Sequence, residues 1–108
     1  MMLNVIDKIN LGWYYNQKSM AVKGTVKEIA ILREAVSKAV QTPYTYDRLS
    51  ILLLKKGKVK EAIKVCKKYK EIMNRRLSYR QKMGYIEDIS SIERAIIRRL
   101  ARIAQKLV

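Results

Sequence analysis

The chain has 108 residues, 49% of them hydrophobic, with 24 Lys or Arg against nine Asp or Glu and a formal net charge of +15. That length supports one core rather than two, and that apolar fraction excludes a disordered chain. It contains no histidine, the commonest general base and metal ligand, and its single cysteine excludes an internal disulfide framework.

The N-terminal stretch MMLNVIDKINLGWYY is interrupted by Asp7 and Lys8, so no apolar run there reaches the length of a secretory signal. No apolar run is longer than the four residues of ILLL at 51–54, far short of a membrane span. Together with the lone thiol, this gives the expectation of a cytoplasmic protein without an integral membrane segment. One Pro, four Gly and no bounded alternating runs point to an all-α fold.

Along the chain, Gly24 marks a turn, and Thr25 is placed to cap a helix through VKEIAILREAVSKAV. That helix would turn Val26, Ile29, Ala30, Leu32, Ala35 or Val36, and Ala39 toward a core. Pro43 opens the next helix, YTYDRLSILLLKK, with Thr45 or Asp47 near its first turn, and Gly57 is placed to end it. KVKEAIKVCKKYKEIM follows, with apolar residues at Val59, Ala62, Ile63, Cys66, Tyr69 and Ile72 or Met73, the spacing of an amphipathic helix. The C-terminal YIEDISSIERAIIRRLARIAQKLV offers Asp88 or Ser90 as a cap and Glu93 in the first turn. Its stripe runs Ile89, Ile92, Ile96, Leu100, Ile103 and Leu107.

These elements repeat. VKGTVKEI at 22–29 matches KKGKVKEA at 55–62 across 33 residues, with Gly24 on Gly57 and Glu28 on Glu61. At the same offset Trp13 falls on Tyr46 and Tyr46 on Tyr79, Met20 on Leu53 and Leu53 on Ile86, and Ile29 on Ala62 and Ala62 on Ala95. A period of this size with aromatic and small apolar landmarks describes an array of helical hairpins. The units are 10–42, 43–75 and 76–108 of a single domain. The last is expected as a closing helix over the second unit's open face rather than a full repeat.

The second unit resembles a tetratricopeptide repeat: Tyr46 stands for the family's Trp, Leu49 for its Leu, Ser50 for its small Gly, Leu53 for its Tyr and Ala62 for its Ala. The first unit keeps Trp13 but has Asn16, Gln17 and Met20 at the next landmarks. The third keeps Tyr79 and Ala95 but has Lys82, Met83 and Ser90, and the period is one residue short of the family's 34. The resemblance spans residues 10–108. It implies stacked antiparallel hairpins that bind a peptide or partner domain on the concave face of the first helices, here Tyr14, Lys18, Asp47, Ile51, Lys55 and Arg80. Asp47 and Ile51 depart from the Lys and Asn array of chaperone-tail-binding members, so the resemblance names no peptide.

Nothing in the sequence assembles into a catalytic, metal or cofactor site. Cys66 lies on an apolar stripe with Ala62 and Tyr69, the position of a buried structural thiol. Glu87 and Asp88 suit a helix start better than a catalytic pair, and no glycine-rich phosphate loop occurs. The expectation is a protein that is not an enzyme.

Charge is the informative feature. Residues 1–54 hold seven basic and four acidic side chains, whereas residues 55–108 hold 17 and five. Lys60, Lys64, Lys67 or Lys68 and Glu71 form one ladder, and Arg94, Arg98 and Arg102 step by four along the last helix toward Lys106. Arg75, Arg76, Arg80 and Lys82 lie between, among Tyr79 and Tyr85. A surface kept basic only for solubility would mix signs at four-residue spacing, and here Glu is scarce. Arginine's fork suits phosphate and carboxylate. Tyr79, at repeat phase, reads as core, and Tyr85 as the freer ring.

Two functions follow. One is an interaction module for an acidic protein or peptide. The other is a nucleic-acid-binding accessory protein in which Lys64, Lys67, Lys68, Arg75, Arg76, Arg94, Arg98 and Arg102 contact DNA or RNA phosphates without reading sequence. Adsorption of the last helix to an anionic membrane is the weaker reading, because its Ile stripe is better used inside. With so few repeats, a homodimer remains open.

Overall fold

The computed structural model describes residues 5–84 and 88–106. Five helices form in chain order: α1 (Val5–Ala21), α2 (Val26–Ser37), α3 (Pro43–Lys55), α4 (Val59–Lys82) and α5 (Ser91–Lys106), with no strand among the described residues. Each packs on its sequence neighbour where the connection is short (α1 on α2, α2 on α3, α3 on α4), and α5 lies across both α3 and α4. The expected all-α stack of helical hairpins is therefore what forms.

Local chemistry sets the boundaries. Pro43 is the first residue of α3, where its missing N–H costs nothing. Gly57 ends the helix with φ 74°, its amide donating to the Leu54 carbonyl at 3.0 Å, while the Lys58 amide donates to Leu53 at 2.9 Å. That pair of bonds satisfies carbonyls the helix leaves open and needs a left-handed residue between them. Gly24 takes the same conformation at the first hairpin turn, φ 84°. Thr25 does begin α2, but its side chain makes no cap; its hydroxyl donates back to the Val22 carbonyl. The Glu28 carboxylate instead ties the preceding turn to the helix, accepting the Gly24 amide at 3.0 Å. At α5 the choice between Asp88 and Ser90 resolves to Ser90. Its hydroxyl accepts the Glu93 amide at 3.3 Å and its amide donates to the Glu93 carboxylate at 3.1 Å, a reciprocal capping box.

The core is built on Leu32, Ala35, Leu49, Leu53, Ala62, Cys66, Ile96 and the ring pair Tyr46–Tyr69, whose centroids lie 5.1 Å apart. The Tyr46 hydroxyl donates to the Val40 carbonyl at 2.6 Å, so its polar end is satisfied inside. Among the residues of α1 whose burial is described, Gly12, Tyr15 and Ser19 are the buried ones. A Cβ on Gly12 would come within 2.3 Å of the Thr42 hydroxyl, which explains a glycine in mid-helix.

The 33-residue period holds for the turns and second helices but not for the first helices. Gly24 and Gly57 share a conformation, and Ile29 and Ala62 are both buried. In the first helices the matching pairs are instead Tyr15 with Tyr46 and Ser19 with Ser50, 31 apart. Both serines are buried and donate to the carbonyl three residues back, at 3.0 and 2.9 Å. A slip of two residues turns a helix by about 200°. Trp13 and Met20, expected inside at the positions of Tyr46 and Leu53, are accordingly 65% and 48% exposed.

Other expectations are corrected as well. Val26 and Ala30 face solvent, because the buried side of α2 runs through Glu28, Ile29, Leu32 and Ala35. Ile92 is 39% exposed in the first turn of α5, where Glu93 takes the inward position. The boundary placed at 75/76 falls inside α4, which runs 24 residues without a break. Tyr79 is not core but 66% exposed, because Met73 is the last buried residue of α4. Tyr85, Ile86, Glu87 and Leu107 lie outside the described residues.

Ala62 is fully buried on α4, so Ala62→Leu should overpack and cost about 1–3 kcal/mol in urea melts. Ala39, which ends α2 with φ 54°, holds a conformation that disfavours a Cβ by about 1–2 kcal/mol. Ala39→Gly should therefore raise stability by about 0.5–1 kcal/mol, net of glycine's larger unfolded-state entropy.

Candidate functional site

The charged residues divide into two populations. In the first, four arginines each reach across to a carboxylate on another helix. Arg48 of α3 binds Glu28 of α2 through two bonds of 2.8 and 3.1 Å, and Arg33 of α2 binds Glu61 of α4 through two of 2.7 and 2.8 Å. Arg76 of α4 binds Glu93 of α5 at 2.8 Å. Arg99 of α5 donates to both Asp47 and Ser50 of α3, at 2.8 and 3.0 Å.

Glu93 is the most connected. It also accepts the buried Tyr69 hydroxyl at 2.7 Å. Burial pushes its carboxyl up, but Tyr69, the Ser90 amide and Arg76 outweigh that and hold it below the usual range. The Arg48 bond holds Glu28 down in the same direction, against its burial and with help from the Gly24 amide. Burial drives the Tyr69 hydroxyl well above its ordinary value, so it stays a donor.

The second population faces solvent. On α4, Lys60, Lys64, Lys67, Lys70, Arg75, Arg80 and Lys82 are exposed; on α5, Arg94, Arg98, Arg102 and Lys106 are. The arginine ridge expected on α5 thus stands outward, opposite the buried Ile96 and Ile103. Two residues expected on this surface have other partners. Arg76 is drawn inward by Glu93, and the Lys68 ammonium donates to the Val36 carbonyl near the end of α2, where a helix favours a cation.

The residues expected to line a groove on the first helices stand on three helices, α1, α3 and α4. Tyr14 and Lys18 are neighbours on α1, the ammonium 5.1 Å from the ring centroid. Asp47 is held by Arg99 of α5, Ile51 is half-buried, and Lys55 is exposed at the end of α3. Arg80 lies on α4 rather than on the first helix of a third hairpin. Through Arg99, α5 reaches part of the α3 face on which a peptide was expected. Cys66 is fully buried, and burial pushes its thiol up, as a structural role requires. Beside α5, Leu54, Val59, Arg99, Arg102, Ile103 and Lys106 line a cleft of about 400 Å³ with an aliphatic floor and a cationic rim. Among the described residues no three His, Cys, Asp or Glu side chains cluster as metal ligands, and no helix is long and apolar enough to cross a membrane.

Comparison with protein-family models, with curated proteins and with solved structures gave no match to this chain.

Tyr69→Phe removes one hydrogen bond to an ionised acceptor without opening a cavity, and should cost about 1.5–3 kcal/mol at pH 7. Glu93 and Glu28 have folded values below their unfolded value of 4.5, so the stability they supply is complete above that pH. It is lost as pH falls through the lowered folded values. Urea midpoints should hold from neutrality to about pH 5 and drop below 4.5, and the gap between Tyr69→Phe and the parent should narrow in acid.

Proposed function

We propose that this chain is a non-enzymatic helical interaction module that binds a polyanionic partner through the outer surfaces of α4 and α5. One observation carries the reading. The interhelical pairs engage four of the nine acids, and Glu71 is the one fully exposed acid on α4 and α5, against eleven exposed cations. Like charges three and four residues apart repel along a helix, and a bound polyanion relieves that repulsion. The tetratricopeptide-like reading draws support from the paired left-handed glycines at the two hairpin turns and from α5, which lies where a capping helix would. The partner is an acidic protein or a nucleic acid. The first-helix face of Tyr14 and Lys18 is the weaker candidate, because Asp47 is engaged by α5.

Arg94, Arg98 and Arg102 are all exposed, so changing the three to Glu reverses the ridge and leaves the core intact. Binding to short DNA and RNA and to poly-glutamate, followed by fluorescence anisotropy, should collapse in that variant. Parent affinity for nucleic acid should fall with salt at a log–log slope of about −0.7 to −0.9 per phosphate contacted. Tyr14→Ala should barely change either. A parent that binds none of these probes at low salt removes the reading; loss of binding in Tyr14→Ala alone moves the site to α1.

A further inference from the structure

We infer that Tyr79 is a stacking platform for an unpaired base, so that the polyanion bound by α4 is single-stranded nucleic acid. The inference rests on the polyanion reading and narrows it. Tyr46 and Tyr69 are fully buried and packed on each other, and the exposed Trp13 and Tyr14 stand on α1. Tyr79 is the exposed ring on the cationic helices α4 and α5. It stands 66% exposed in the last turn of α4, beyond Met73, where that helix has left the core.

Its neighbours on the helix surface are set by spacing. Arg75 is four residues before it and Lys82 three after, so both share its face, and both are exposed. Met83, four residues after, is 59% exposed and widens the apolar surface beside the ring. Arg75 and Lys82 are about 10 Å apart along the axis at 1.5 Å per residue, with Tyr79 between them. A strand running along this face would place a phosphate at each cation and a base on the ring. That is the arrangement by which sequence-tolerant single-strand binders combine a cationic track with an aromatic face. A duplex keeps its bases stacked and offers only phosphates, and an acidic peptide uses the two cations but gives the ring no base to stack on. The exposed ring therefore favours the single strand over both.

The test compares a labelled oligothymidine of twelve nucleotides, a duplex of the same length and poly-glutamate, against the parent, Tyr79→Ala, Tyr79→Phe and the Arg94/Arg98/Arg102→Glu variant. Tyr79→Ala should weaken single-strand binding by about 5- to 150-fold, the range for losing one stacked base. Tyr79→Phe should retain the parent affinity, and neither change should alter the salt slope or duplex binding. The arginine variant should weaken every nucleic-acid complex. If Tyr79→Ala binds the single strand as the parent does while the arginine variant does not, stacking is overturned and the polyanion surface stands. Parent binding to the duplex or to poly-glutamate as tight as to the single strand also overturns it. If the parent binds none of the three, both readings fall together.

Discussion

The fold depends on arginine meeting carboxylate across helix boundaries. Each of the four pairs joins a different couple of helices: α2 to α3, α2 to α4, α4 to α5 and α3 to α5. Short connections already set α1 beside α2 and α3 beside α4. The pairs add what connectivity does not supply, namely the register of one hairpin on the next and of the last helix on both. Arginine suits this because its fork makes two bonds to one carboxylate at fixed angles, as in Arg48–Glu28 and Arg33–Glu61. The pairs differ in weight. Arg33–Glu61 lies open to water and contributes little, whereas Glu28 and Glu93 are almost wholly enclosed and would be costly to leave unpaired.

Around Glu93 several levels of structure meet. The same carboxylate caps α5 through Ser90, accepts the Tyr69 hydroxyl from the core of α4 and holds Arg76. The start of the closing helix is thus fixed by the element it closes. Arg99, two turns further on, ties that helix to α3 and at the same time withdraws Asp47 from the face where a peptide ligand was expected.

The helices, their turns and most of the core were legible in the sequence because they follow from local rules. Gly24, Gly57 and Pro43 punctuate the chain, and apolar residues recur at helical spacing between them. The phase of α1 was not legible. A repeat offset read from the turn glycines assumes equal spacing from turn to first helix, yet Ser19 precedes Gly24 by five residues and Ser50 precedes Gly57 by seven. That difference moved Trp13 from the inside to the outside. The ion pairs were missed for another reason: a ladder of cations looks uniform on paper. A signal was nevertheless present. Arg99 lies three residues after Ile96 and four before Ile103, and Glu93 three before Ile96, so both occupy the apolar stripe itself. An ionisable residue in a buried stripe has to find a partner.

The division of charge between inside and outside has a thermodynamic consequence. The interhelical pairs are electrically neutral, so the protein's excess of positive charge resides elsewhere, much of it on two adjacent helices of a body 42 Å in its longest dimension. Bringing those cations together opposes compaction, and the unfolded chain escapes the opposition by spreading them apart. Counterions or a bound polyanion relieve the penalty most where the cations lie closest together, in the folded state. Any ligand that prefers the folded state raises its free-energy margin with concentration. On the proposed polyanion reading, the amount of intact protein in a cell would follow how much of that polyanion is present, and the chain would be least durable where it is scarce.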